Sequence, residues 1–192
     1  MIGIPLGLLA ANATEWVVHK YVLHGLGKKK SSFWSFHWHE HHAESRTNVM
    51  RDPHYADRSV LGWHAQGKEA LALVGAAAAI TPLFPVAPFF VAAGWYSAWN
   101  YYRVHKRSHE DPAWAREHLT WHYDHHMGPK QDANWCVTRP WFDHLMGTRI
   151  PYAYTAREQK DIERREALAA RRAARAEASA DVQVDDAAPE AA

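Results

Sequence analysis

The sequence predicts an all-α integral membrane protein whose helices carry a histidine-rich helical cap on the cytoplasmic side. Three observations lead there. No side chain is charged from residue 70 to residue 102, a run longer than the ~20 residues that one membrane-crossing helix needs. Ten of the 15 histidines fall into four spaced clusters. The basic residues flanking the apolar stretches gather on one side of them, and lysine and arginine mark the cytoplasmic face.

Taken in chain order, Ile2–Val18 is apolar apart from Asn12, Thr14 and Glu15. It lacks a basic start and a small-residue cleavage site, so it reads as a short membrane helix and not as a removed signal peptide. His19 and His24 follow at its cytoplasmic end. A spacing of five does not share one face of a regular α-helix. The pair therefore needs a helix end or a π-bulge, and Gly25 and Gly27 point to an end. Lys28–Lys30 come next, then His37, His41 and His42, the first two four apart and the last two adjacent. Pro82, Pro85 and Pro88 break the charge-free run, which predicts two helices joined by a turn. The first arm, Lys68–Thr81, is rich in alanine and leucine; the second, Phe89–Tyr102, is aromatic. Arg103, Lys106 and Arg107 then place the end of the hairpin on the same side as Lys28–Lys30. His105 and His109 are four apart, and His122, His125 and His126 follow an HxxHH spacing, so each set shares a helix face. From Ala156 to about Ser179 the chain consists of good helix formers without a wide apolar face, a solvated helix. Residues 181–192 are acidic and alanine-rich, and the expectation there is disorder. The chain thus divides into a membrane domain, residues 1–155, and a charged tail, residues 156–192.

Composition narrows the chemistry. A net charge of +1 leaves no nucleic-acid footprint. The one cysteine, Cys136, excludes an intrachain disulfide, a thiolate zinc site and a thiolate-bound iron–sulfur cluster. Ten tryptophans and eight tyrosines suit a membrane–water interface. Imidazole is the commonest metal ligand, and ten exceed what one tetrahedral site uses. Two metal ions held by nitrogen, and catalysis, follow. His39, His54, His64, His118 and His144 lie outside the boxes and read as structural or exposed, with His39 and His118 near enough to be spare ligands. Neutral imidazoles leave positive charge on the metals, so neighbouring polar groups should orient the rings. Glu15, four residues before His19, and Asn134 are the first candidates, followed by Glu40, Asp124 and Asp143.

The boxes, and above all HLTWHYDHHMGPKQDANWCVTRPWFDHLMGT (His118–Thr148), resemble the fatty acid hydroxylase/sterol desaturase superfamily of membrane histidine-box di-iron enzymes. The resemblance covers about Glu15–Thr148. It implies that His19, His24, His37, His41, His42, His105, His109, His122, His125 and His126 bind two iron ions, although imidazole sites also accept zinc. It further implies O₂-dependent hydroxylation of a lipid, a fatty acyl or sphingolipid chain, at the cytosolic face. No haem, flavin or iron–sulfur motif is present, so the electrons come from a separate donor protein. Carotenoid or sterol hydroxylation or desaturation stays open within the class. A membrane metal-binding protein without catalysis is the alternative from another class. The second box departs from the HxxHH of many relatives; its HxxxHH is similar to that of the membrane alkane hydroxylases.

Overall fold

A computed structural model describes residues 2–185 of the chain, with side chains to residue 176, and no strand occurs among them. The first helix, α1, spans Gly3–Val17 and runs directly into a π-helix, π1, Val18–Leu26. A second π-helix, π2 (His37–His42), continues into α2 (Ala43–Thr47). Then come α3 (Pro53–Ala56), α4 (Ala65–Ile80), a 3₁₀ turn over Thr81–Leu83 and α5 (Pro88–Glu110). The remaining helices are α6 (Pro112–His118), α7 (Thr120–Met127), α8 (Trp141–Leu145) and α9 (Ala156–Asp185).

Local chemistry sets several of these boundaries. Pro53, Pro88 and Pro112 each sit in the first turn of a helix, where a missing N–H costs nothing. The Asp52 carboxylate accepts from the His54 amide at 2.8 Å, and that of Asp111 from the Trp114 amide at 3.0 Å, each capping the helix that follows.

The proline-broken hairpin forms as α4, the turn and α5. The second arm is longer than the sequence predicts. α5 passes Tyr102 without interruption and carries His105 and His109 on its last turns, so the apolar arm and the third histidine box are one rod. Among the described residues, no helix is long and apolar enough to cross a membrane. With 15 and 16 residues, α1 and α4 fall short, while α5 turns polar from Arg103 to Glu110. The expectation of membrane-crossing arms is not met by any one of them.

The first of two compact units, Met1–Ala153, holds α1 to α8. In it α1 packs on α5 through glycine. A Cβ at Gly7 would lie 2.6 Å from the Ala93 Cβ and 3.0 Å from the Phe90 carbonyl, closer than any side chain permits. The polar end of α1 is bolted to the segment after the fourth box. Asn12 Nδ2 donates to the Arg139 carbonyl at 2.8 Å, and the Trp16 indole donates to Thr148 Oγ1 at 3.0 Å. Between α1, α4 and α5 lies a cavity of about 370 Å³ with an almost wholly apolar wall. The second unit begins at Tyr154 and contains α9, whose exposed face carries i,i+4 pairs such as Arg157–Asp161 at 3.0 Å. Residues 181–185, expected to lack structure, continue this helix; residues 186–192 lie outside the described residues.

Two glycines predict opposite outcomes. Gly7→Val should separate α1 from α5 and lower the unfolding free energy by about 1–3 kcal/mol. Gly75→Ala, in mid-helix with nothing within 4 Å of the new Cβ, should raise it by about 0.5–1 kcal/mol. Denaturant titration followed by tryptophan fluorescence measures both.

Candidate metal centre

The irregular spacing of the first two boxes has a local explanation. A π-helix bonds each amide to the carbonyl five residues back, widening the turn by one residue. The Gly27 amide does this with Val22, at 3.0 Å, where π1 closes. Residues five apart then share a face, which suits His19 and His24. In π2 the same widening aligns His37 with both His41 and His42. Of the two routes open for the first pair, the π one is taken over its whole length, and the second box uses it as well. His105 and His109 lie on α5, and His122, His125 and His126 on α7, in ordinary α spacing. All ten rings are buried.

Nine of them converge into two groups. His19, His24, His37, His42 and His125 offer ligand atoms within 4.8 Å of one another, and so do His41, His105, His109 and His126. His122 joins neither group but adjoins the second, its Nε2 lying 3.1 Å from that of His109. None of His39, His54, His64, His118 and His144 belongs to either. His39 is exposed and contacts the Lys28 carbonyl, His54 bonds Asp52, and His118 stacks on Trp114.

The outward nitrogens decide the tautomers. Nδ1 of His19, His109 and His125 points at the carbonyls of Trp135 (2.5 Å), Met50 (2.8 Å) and Ala133 (2.7 Å). Nδ1 of His24, His41 and His42 meets Asp132 (3.2 Å), Asp52 (2.7 Å) and Gln131 (2.8 Å). Nδ1 of His105 lies 2.7 Å from Glu69 Oε2. At His19, His24, His41, His42, His109 and His125 the acceptor requires the proton on Nδ1, which leaves Nε2 as a bare lone pair directed inward. Three of those lone pairs meet, His42 Nε2 lying 3.1 Å from those of both His24 and His125, and the His37 Nε2 lies 3.0 Å from that of His19. In the second group, Nε2 of His41, His105 and His126 is buried with no partner. Opposed lone pairs and orphaned acceptors are costly in a dry interior unless a cation joins them. The donor set therefore fits metal ions preferring imidazole nitrogen.

Electrostatics agree. Burial pushes the boxed histidines below the ordinary 6.5, His19 and His109 to about 4, with the facing carbonyls of Trp135 and Met50 limiting the fall. The others are held well below 6.5 as well, again through burial first and then through repulsion among neighbouring rings. Neutral rings are the ligating form.

The two polar residues expected to orient the rings act at one remove. The Glu15 carboxylate touches no histidine; it accepts from the Val137 and Thr138 amides at 3.0 and 2.9 Å and from the Thr138 hydroxyl at 2.6 Å. Asn134 sits between the two carbonyls that take His125 and His19. Its backbone is left-handed (φ 57°), a conformation that asparagine tolerates better than most residues. Its side chain donates to the Ile150 carbonyl at 2.9 Å and accepts from the Ile150 amide at 2.7 Å. Asp143 holds the same segment through the Trp135 and Cys136 amides, both at 2.8 Å. Asp124 accepts from the Ala153 amide and pairs with Arg149, and Glu40 pairs with Lys68. The groups that do contact the rings through side chains, Asp52, Glu69, Gln131 and Asp132, escaped sequence reasoning. Asp52 reads as the cap of a proline-led helix, and Glu69 reads only as the last charge before an apolar run.

Among families of known proteins, the one described as Fatty acid hydroxylase matches residues 4–148, a span that includes all four histidine boxes and the apolar helices. No curated protein and no solved structure matches the chain. A pH dependence follows from the site. Because the folded chain keeps these histidines neutral below 6.5 while the unfolded chain protonates them there, their contribution to stability should be constant above that pH. That contribution should fall as pH drops from 6.5 toward 4, the value that His19 and His109 approach, by about 1.4 kcal/mol per pH unit for each histidine engaged, outweighing the opposite trend of the two buried carboxyls Glu15 and Glu69, raised to about 7 and about 8 by burial. Thermal unfolding of metal-free protein across that range measures the slope.

Proposed function

This chain belongs to the fatty acid hydroxylase family, and from that premise we propose that it is a membrane-bound di-iron oxygenase that oxidises a C–H bond of a lipid. The observation that carries the reading is the pair of buried, converged histidine groups, the first of which opens through His19 and His37 on an apolar cavity. Iron bound there would supply O₂ activation with electrons from a separate donor protein. The chain supplies the rest. His19, His24, His37, His42 and His125 would hold one ion; His41, His105, His109 and His126 would hold the other, with His122 beside them. Asp52 and the carbonyls of Met50, Ala133 and Trp135 keep the rings of His41, His109, His125 and His19 aimed and their Nε2 unprotonated, and Glu69 lies against His105. His19 and His37 also line the cavity, so a lipid chain lying between α1, α4 and α5 reaches the first group directly. Alanine and glycine along the walls leave room for a slender chain and exclude water from its path.

A fatty acyl or sphingolipid chain is the substrate in this reading, and desaturation begins from the same hydrogen abstraction. The membrane is the source of that lipid. Leu6 and Leu9 on α1, Leu71 and Val74 on α4, and Phe84 and Val86 in the turn are exposed, an apolar surface too extended for water. The three helices would be embedded in the bilayer with the basic Lys28–Lys30 and Arg103–Arg107 flanks on the cytoplasmic side.

Iron-loaded protein given O₂, a reductant and membrane lipid should yield a lipid one oxygen atom heavier, or a desaturated one, by mass spectrometry; unchanged lipids would overturn the reading. Iron should saturate at two ions per chain, and zinc-loaded protein should be inert, since zinc has no redox chemistry. His125→Ala should lower turnover by more than ~100-fold, beyond what loss of a supporting hydrogen bond does. His118→Ala, at an exposed ring outside both groups, should leave it intact.

A further inference from the structure

The first histidine group has two sides. On one, His19 and His37 line the apolar cavity. On the other, His24 and His42 pack against Trp38, whose indole lies 5.0 Å from the His24 ring and stacks on that of His42 at 5.3 Å and 27°. None of these three residues lines the cavity. Trp38 is half-buried, and beside it the group comes nearest to the surface. The side chains behind His24 and His42 are Asp132, which is exposed, and Gln131, which is half-buried. Met50, Asp52, Glu69, Ala133 and Trp135, which stand behind His109, His41, His105, His125 and His19, are all buried.

The surface around Trp38 is basic. The Lys28 ammonium lies 4.6 Å from the centre of the indole ring and bonds Asp132 at 2.8 Å. Lys29 and Lys30 continue the same loop, and Lys130 stands two residues before Asp132; all three are exposed. The carboxylate of Glu40 on π2 is engaged by Lys68 at 3.1 Å. Four lysines therefore surround the single carboxylate of Asp132, next to an aromatic ring that touches two members of the metal group. Anionic headgroups would meet lysines on any flank of the protein. An indole stacked on two ligand rings beneath those lysines serves no headgroup, but it serves an electron.

We propose that this patch docks a one-electron carrier protein with an acidic face, and that Trp38 is the contact through which the electron reaches the ion held by His24 and His42. Each delivery oxidises the carrier by one electron and reduces one ferric ion to ferrous, with no bond made or broken at the indole. The inference rests on the redox-active reading of the centre given above. Lipid and electrons then arrive from opposite sides of the first group, so carrier and substrate do not compete for one opening. Redox encounters of this kind bury little surface, and opposite charge supplies their rate and orientation.

Titration of the full chain in neutral detergent with an acidic plant-type [2Fe–2S] ferredoxin, read by anisotropy of a dye on the ferredoxin, measures docking without turnover. A basic cytochrome c is the control. Ferredoxin should bind at least ~10-fold tighter at low salt, and the preference should fade as salt screens the charges. Lys29→Glu/Lys30→Glu/Lys130→Glu, which spares Lys28 and its bond to Asp132, should weaken ferredoxin by about 10-fold or more. Trp38→Leu should leave docking unchanged but slow the oxidation of reduced ferredoxin by iron-loaded chain, and Trp38→Phe should recover part of that rate. Should Trp38→Leu lose iron, Trp38→Phe and the lysine variant decide the matter. Equal binding of the two carriers would overturn the proposal, as would ferredoxin binding that survives the lysine substitutions or an electron-transfer rate indifferent to Trp38. A lysine variant that loses only its hold on anionic vesicles would assign the patch to lipid headgroups and overturn it too. A chain that takes electrons from ferredoxin yet leaves every lipid unchanged would refute the proposed function and keep this inference.

Discussion

The fold is organised around one electrostatic constraint: ten imidazoles packed together without water must all be neutral, and all must know which nitrogen carries the proton. Adjacent rings cannot settle this among themselves, because any one of them could give or take the proton. For six of the ten the decision is made from outside, by carbonyls, carboxylates and an amide oxygen that claim Nδ1. These acceptors, and Glu69 against His105, have to arrive from different parts of the chain: Met50 and Asp52 from the stretch after π2, Glu69 from the start of α4, Gln131 to Trp135 from the segment after α7. Much of the first unit can be read as the means of bringing those acceptors to the back of the rings.

How much of this was legible in the sequence depended on whether the signal was local. The four boxes and the proline-broken hairpin were, because ligand spacing and helix breaking act within a few residues. All ten boxed rings are buried, and the five others stay outside the groups. The division of the ten into a five and a four was not legible. It pairs His125 with the first two boxes and His126 with the second and third, a matter of which side of α7 faces which neighbour. Nor were the acceptors. Asp52 and Glu69 lie 11 and 36 residues from the histidines they meet in sequence, and only tertiary packing joins them. Glu15 shows the opposite failure. Its spacing from His19 places both on one face of a regular helix, but the widened turn that begins at Val18 rotates His19 toward Trp135 and leaves Glu15 to the Val137–Thr138 backbone.

Membrane-crossing length is a related case. The proline turn legible in the sequence divides the uncharged run, and α5 becomes polar where it takes up its histidines, so neither arm among the described residues is long and apolar enough to cross a membrane and the apolar surface is broad and short. A short apolar block with its ligands at the end is well placed to draw a lipid in from the side.

The π-helices have a consequence for how this chain tolerates change in length. A helix advances ~100° per residue, so deleting a single residue between His19 and His24 would restore ordinary α spacing while swinging everything downstream by more than a quarter turn. The same holds inside π2. In most helices such a slip can be absorbed by the next loop. Here it would aim five rings away from their common centre and would also rotate α2 and the Met50–Asp52 stretch that serves the other group. The extra residue in each wide turn therefore acts as a phase setting shared by both histidine groups, and substitutions of the residues other than histidine within π1 and π2 should be far better tolerated than any insertion or deletion there.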